Sequence, residues 1–229
     1  VMPGPQLRQA VPLSKAIKKK FPETVMIWGG YFPSTQPKSV LSSGYVDFVI
    51  NGPGDHAFPA LIDALENNTP YEFIRNVIYY ANGDIIKNAK EDLFEQDPLP
   101  PLPYNKLHDF YEIDKWYLGR TYLGERTMAY HSSIGCPFTC SFCAVVPIYE
   151  ARWKAKSAQN VYNDVKYIRD KWGADAIEFH DNNFFVSEKR TVEFSKLIKP
   201  EKMSWWGMAR IDPLDKFKDS SHEAVREGG

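Results

Sequence analysis

Two short apolar runs in the first sixty residues stop abruptly at glycines, and that pattern leaves few folds open. Val25-Met-Ile-Trp28 ends at Gly29-Gly30, and Tyr45-Val-Asp-Phe-Val-Ile50 ends in Asn51-Gly52-Pro53-Gly54-Asp55. A run this short, apolar but for Asp47 in the second and bounded by turn residues, reads as a strand buried on both faces, as in a parallel sheet. Helical spacing flanks both runs. Leu13, Ile17 and Phe21 fall on one helical face before the first, and Phe58, Leu61, Ile62 and Leu65 keep the i, i+3, i+4, i+7 spacing after the second. Strands alternating with helices give an α/β architecture of the doubly wound kind, whose ligands approach the carboxyl ends of parallel strands.

A change of pattern follows. Val77-Ile-Tyr-Tyr80 and Ile85-Ile86 flank Asn82-Gly83, the pair that supplies the positive φ angles of a two-residue hairpin turn, and predict a small antiparallel appendage. Asp97-Pro-Leu-Pro-Pro-Leu-Pro103 then holds four prolines in seven residues, which excludes helix and central strand and reads as an interdomain linker. Beyond it a βαβαβ series begins. Thr127 to Ile134 reads as a strand running straight into a cysteine cluster, and Ser157 caps a helix carrying Val161, Val165, Ile168 and Trp172. Ala176–Phe179 is a strand, Ser187 caps a helix with Thr191, Phe194 and Ile198, and Met203 to Met208 is a third strand. At roughly 30 residues per βα unit, this stretch holds about three units, too few to close a barrel. The organisation expected is therefore residues 1–75 as the end of one α/β domain, 76–126 as hairpin and linker, and 127–229 as the start of a (β/α) barrel. The chain is accordingly expected to be an internal fragment.

Composition removes several classes. With 28 basic and 29 acidic side chains the formal charge is −1, and Lys18-Lys19-Lys20 reads as a solvated helix face, so no basic stripe points to nucleic acid. No window approaches the run of about 18 apolar residues that spans a membrane, and the first residues lack a signal peptide's apolar core, which leaves a cytoplasmic protein as the expectation. The chain has three cysteines, all within Cys136-Pro-Phe-Thr-Cys140-Ser-Phe-Cys143, and an odd, clustered set is no disulfide framework.

The CxxxCxxC spacing allows three thiolates to converge on one metal from a single loop. Structural zinc takes four ligands and electron-carrier iron–sulfur clusters usually have four cysteines, yet no fourth cysteine occurs. Three thiolates on a cubane leave one iron open to bind a substrate directly. A zinc site completed by His131 or His180, making a non-catalytic binding module, is the competing reading.

CPFTCSFC, with Gly135 before it and an aromatic ahead of its last cysteine, resembles the signature loop of the radical S-adenosylmethionine enzymes. The resemblance implies that Cys136, Cys140 and Cys143 hold a 4Fe-4S cluster and that Phe142 lies beside the adenine of S-adenosylmethionine. The stretches Arg152–Ser157 and Glu178-Phe-His-Asp181-Asn182-Asn183-Phe184 look like those that follow the loop and close the second strand in cobalamin-dependent members. Asp181 and Asn182 would then bind the amino group or ribose of S-adenosylmethionine, and Arg210 a carboxylate. Their ordinary readings are an Asx turn and a surface ion pair, and His180 reads as packed.

The glycine turns resemble the second half of the Rossmann-like cobalamin-binding domain found ahead of the partial (β/α) barrel in that subgroup, with Gly29, Gly30, Gly52 and Gly54 against the cofactor. Phe32 stands where many members have histidine, and Pro53 and Asp55 replace the more usual glutamates. The implied activity is reductive cleavage of S-adenosylmethionine to a 5′-deoxyadenosyl radical, followed by cobalamin-dependent C-methylation or cyclisation of a small organic substrate. An external electron donor such as flavodoxin or ferredoxin is implied with it. A radical methylthiotransferase is the second enzyme reading, set against the lack of any cysteine before Cys136.

Overall fold

The computed structural model describes residues 1–100 and 102–229; Pro101, within the proline-rich stretch read as a linker, lies outside the described residues. The chain divides into a first unit, Val1–Leu93 with Phe138–Ala151, and a second, Phe94–Pro137 with Arg152–Gly229.

In the first unit, α1 (Pro5–Lys20) leads to β1 (Ile27–Gly29), α2 (Tyr31–Thr35), α3 (Pro37–Leu41), β2 (Phe48–Ile50), α4 (Ala57–Asn67), β3 (Val77–Ala81) and β4 (Asp84–Lys87). β1 and β2 run parallel, Ile27 opposite Phe48 and Gly29 opposite Ile50. Val49 and Trp28 pack into one buried layer, while Phe48 and Ile50 join Leu61 and Tyr79 in the other. Burial on both faces is why the run is apolar at consecutive positions.

Two expectations are corrected here. The inward stripe of α1 is Leu7, Ala10 and Val11, half-buried, with Ser14 buried, whereas Leu13 and Phe21 are exposed. The helix turns Ser14 inward because its hydroxyl accepts the Trp28 indole N–H at 3.1 Å, a buried donor that would otherwise go unpaired. The hairpin is not an appendage: β3 pairs antiparallel with β2, so the sheet has order β1-β2-β3-β4. Val77, Ile78 and Tyr79 are all buried, which makes β3 a member of the core. Its turn has the expected form, with Asn82 at φ 52° and Gly83 at φ 88°.

The second unit begins with α5 (Tyr104–Tyr111) and α6 (Ile113–Trp116), followed by β5 (Thr127–Tyr130) and β6 (Ser133–Gly135). After α7 (Val145–Tyr149), which belongs to the first unit, come β7 (Trp153–Ala155), α8 (Ala158–Trp172), β8 (Ala176–Phe179), α9 (Glu188–Ile198), β9 (Ser204–Gly207), α10 (Ile211–Leu214) and α11 (Asp219–Glu227). β5, β8 and β9 form a parallel sheet in that order, with α8 and α9 as the connections. Ser157 and Ser187 cap α8 and α9 through the amides of Asn160 and Arg190.

The strand expected to run unbroken from Thr127 to Ile134 breaks after Tyr130. β6 leaves the parallel sheet and pairs antiparallel with β7, so the cysteines hang from a two-stranded ribbon inserted between β5 and α8. The break arises because the amides of Ser132 and Ser133 bond to a side chain at the end of β8 instead of continuing a ladder. Beneath the sheet, Phe179, Phe184, Phe194 and Trp205 interlock with ring centroids 4.4 to 5.9 Å apart. Gly207 faces that cluster so closely that an added Cβ would lie 2.9 Å from the Phe184 Cβ.

Candidate functional site

In the first unit the two glycine turns meet. Gly29, Gly30, Gly52 and Gly54 line one cavity of about 470 Å³, walled also by Ile27, Ile50, Asp55 and Phe58. It opens at the carboxyl ends of the parallel pair, where an open α/β sheet takes its ligand. Gly52 has φ +108°, a conformation an L side chain rarely adopts, and its amide donates to the Ser34 hydroxyl at 3.2 Å. Phe32 packs on the core of this unit, and His56 opens α4 with its ring exposed and paired to Glu91 at 2.8 Å. Tyr149 of α7 has its hydroxyl pushed up to about 12, chiefly by burial, then by Tyr31 and Asp55 nearby. Lys90 anchors the end of α7, donating to the carbonyls of Pro147 and Ile148 at 2.7 and 2.9 Å.

The three cysteines are half-buried and none is in a disulfide. Cys136, in the second unit, donates its amide to Arg152 at the foot of β7, 3.0 Å away. Cys140 and Cys143, in the first, share a tight turn closed by the Cys143 amide on the Cys140 carbonyl at 3.1 Å. Phe142 stands in that turn with 91% of its surface exposed, so its ring is available to stack on a ligand. Among the described residues no three His, Cys, Asp or Glu side chains are gathered as a metal site. Three thiolates drawn together without a cation would repel one another.

Asp181 and Asn182 follow β8 at the carboxyl end of its own sheet. Asp181 is fully buried, its carboxylate accepting from the Ser132 amide and hydroxyl at 2.6 and 2.5 Å and from those of Ser133 at 3.3 and 2.8 Å. Asn182 donates to the Gly135 carbonyl, one residue before Cys136, at 3.4 Å. Sequence reasoning missed Arg190 of α9, which is buried and donates to the Ser132 hydroxyl at 2.5 Å and the Lys156 carbonyl at 2.7 Å. Its only trace in the sequence is an arginine beside the helical stripe of Thr191, Phe194 and Ile198. Burial lowers its pKa while Asp181 works the other way.

Arg210 makes a two-pronged ion pair with Asp212, at 2.8 and 3.0 Å, at the start of α10. His180 is not packed: its ring is 46% exposed and lies 3.3 Å from Glu178, because β8 ends with Phe179 facing the core and the alternation turns His180 to the other side. His131 stands edge-on to it with centroids 5.9 Å apart, and burial lowers its pKa. No helix among the described residues is long and apolar enough to cross a membrane.

No protein-family profile matches the chain. It is 27% identical over 207 residues to an uncharacterized methyltransferase of Pyrococcus horikoshii, covering 90% of this chain and 43% of that protein. An anaerobic magnesium-protoporphyrin IX monomethyl ester cyclase of Synechocystis is 22% identical, over 94% of this chain and 42% of the cyclase. Among solved structures, the cobalamin-dependent S-adenosylmethionine radical enzyme OxsB, with aqua-cobalamin and S-adenosylmethionine bound, superposes with TM-score 0.72 at 14% identity, over 97% of this chain and 31% of that one. The chain thus spans less than half the length of these proteins.

Proposed function

We propose that this chain, a relative of methyltransferases and cyclases with the fold of a cobalamin-dependent radical S-adenosylmethionine enzyme, carries the cofactor-binding part of such an enzyme. The observation that carries the reading is the CxxxCxxC spacing in the segment between β6 and β7, with no fourth cysteine in the chain. Cys136, Cys140 and Cys143 would hold a 4Fe-4S cluster, and three accessible thiols fit a cubane that keeps one iron for a ligand. When bound, the cluster would pass one electron to the sulfonium of S-adenosylmethionine, giving methionine and a 5′-deoxyadenosyl radical, and cobalamin would serve as the methyl carrier.

The chain's own residues bind, orient and shield. Phe142 offers an exposed ring for the adenine, Asn182 lies beside the carbonyl preceding Cys136, and Arg210 offers a guanidinium to a carboxylate where it is now paired with Asp212. Asp181 acts from beneath, holding the strand that delivers Cys136. The glycine cavity would take the nucleotide tail or an edge of the corrin, since bare backbone at Gly29, Gly52 and Gly54 permits close approach and Ile50 and Phe58 supply apolar walls. The proposed reaction is methylation at carbon, or cyclisation, of a small organic substrate, with an external flavodoxin- or ferredoxin-like electron donor.

Metal analysis tests the reading. After anaerobic reconstitution with iron and sulfide, the full-length protein is expected to hold about four irons and about four sulfides, and replacing all three cysteines with alanine is expected to remove them. One zinc per chain without sulfide would make the loop a structural site and sink the proposal.

A further inference from the structure

The cysteine loop is covalently held at two points, where β6 enters it and where β7 leaves it, and both points converge on one buried polar network. At the entry, Ser132 and Ser133 give both their amides and both their hydroxyls to Asp181. At the exit, the Lys156 amide donates to the Ser132 carbonyl at 2.9 Å, which closes the base of the ribbon. Arg190 spans the two: Nε donates to the Lys156 carbonyl at 2.7 Å and Nη2 to the Ser132 hydroxyl at 2.5 Å. The same Ser132 hydroxyl donates to Asp181, so the aspartate and the arginine are joined through one oxygen.

Each is expensive to keep in that place. Asp181 is 0% exposed and Arg190 is 8% exposed, and a buried charge persists only where it is paired and hydrogen-bonded. An apolar anchor would hold a ribbon to a sheet at less cost. Charged groups satisfied on every side instead fix an orientation, because each bond is directional and no slipped register satisfies the set. Farther along, Asn182 on the Gly135 carbonyl and the Cys136 amide on Arg152 carry the same constraint to the first cysteine.

We propose that Asp181, Ser132 and Arg190 form a positioning device for the β6–β7 ribbon, fixing the strand that presents Cys136 so that the first thiolate of the cluster site is held in one orientation. The inference rests on the radical S-adenosylmethionine reading and extends the role given to Asp181 to Ser132 and Arg190.

The test compares full-length wild type with Asp181→Asn, Arg190→Met, Arg190→Lys, Ser132→Ala and the double variant Asp181→Asn/Arg190→Met after anaerobic reconstitution. Iron and sulfide content, S-adenosylmethionine affinity and the electron paramagnetic resonance spectrum of the reduced cluster, with and without S-adenosylmethionine, are read on each. The double variant removes both charges together, so neither is left buried without its counterpart, and Ser132→Ala leaves both charges in place. Outer-shell partners of metal sites typically change affinity by roughly 10–100-fold, and a weakening of S-adenosylmethionine binding in that range is expected, with a cluster signal that no longer shifts when the ligand is added. Arg190→Lys keeps the charge but not the fork that spans two acceptors, and should recover less than half of the loss. If Ser132→Ala and the double variant, folded and loaded, bind S-adenosylmethionine as wild type does and give its spectrum, the positioning role is refuted. If wild type itself takes up no iron and sulfide, it is the underlying reading that falls.

Discussion

Replacing Gly52 with alanine separates the two jobs given to the glycine turns. Gly52 has φ +108°, and the added Cβ would meet nothing nearer than the Ile148 carbonyl at 3.9 Å, so the cost is conformational rather than steric. Holding an L-residue in a sparsely populated region costs about 1–3 kcal/mol. A reduction in unfolded-chain entropy offsets up to about 1 kcal/mol of that. A net loss of about 1–2 kcal/mol follows, and for a unit of roughly 100 residues each kcal/mol lowers Tm by about 4–8 °C. Gly54→Ala is the control: its φ is ordinary, and its Cβ would lie in normal contact with Ile50 and Phe58 at 3.6 and 3.8 Å. It is expected to change stability by less than about 0.5 kcal/mol. Both variants add a methyl to a wall of the cavity, so both should weaken cobalamin binding, read by titrating the corrin absorbance against full-length protein. A Gly52→Ala protein as stable as its parent would refute the backbone argument. Unchanged cobalamin affinity in both variants would refute the assignment of the cavity.

Phe184→Ala, which empties the centre of the aromatic cluster, is expected to cost about 3–5 kcal/mol in urea unfolding, with cluster uptake lost only where the fold is lost. Ser157→Ala removes the acceptor for the Asn160 amide and should cost α8 about 0.5–2 kcal/mol, measured by the urea midpoint. His131 has a pKa lowered by burial, so above the ordinary histidine value of about 6.5 it contributes no pH dependence. As pH falls below that value the unfolded chain binds the proton first, and stability declines until the folded pKa is passed. His131→Gln should flatten that part of the stability–pH curve by a small amount, because the residue keeps much of its surface in solvent, and a steeper curve would contradict the direction of the shift.

Legibility followed the kind of physics involved. Periodicity and turn chemistry are local, so β1, β2, the Asn82-Gly83 hairpin turn and the caps at Ser157 and Ser187 could be read directly. The four glycines sharing one cavity were also accessible, because strand ends carry their position in the pattern. Pairing was harder. That β3 joins the first sheet depends on which strand lies beside it, and the hairpin sequence is silent on that. The break between β5 and β6 was hidden because its cause, Asp181, lies 49 residues from Ser132. The buried face of α1 was misjudged for a related reason, since Ser14 is drawn inward by an indole on another element. Asp181 and Asn182 drew notice as a polar pair at a strand end, but nothing in the sequence distinguishes the residue that turns inward from its neighbour. Arg190 could be recognised only from its partners.

The central claim is that the loop of Cys136, Cys140 and Cys143 arms a radical cleavage of S-adenosylmethionine. The most direct measurement is anaerobic incubation of the reconstituted full-length protein with S-adenosylmethionine and a strong one-electron reductant, followed by quantification of 5′-deoxyadenosine and methionine. The reading requires both products in equal amounts from wild type, and neither from a protein with the three cysteines replaced by alanine. Intact S-adenosylmethionine after reduction of a fully loaded cluster would contradict it.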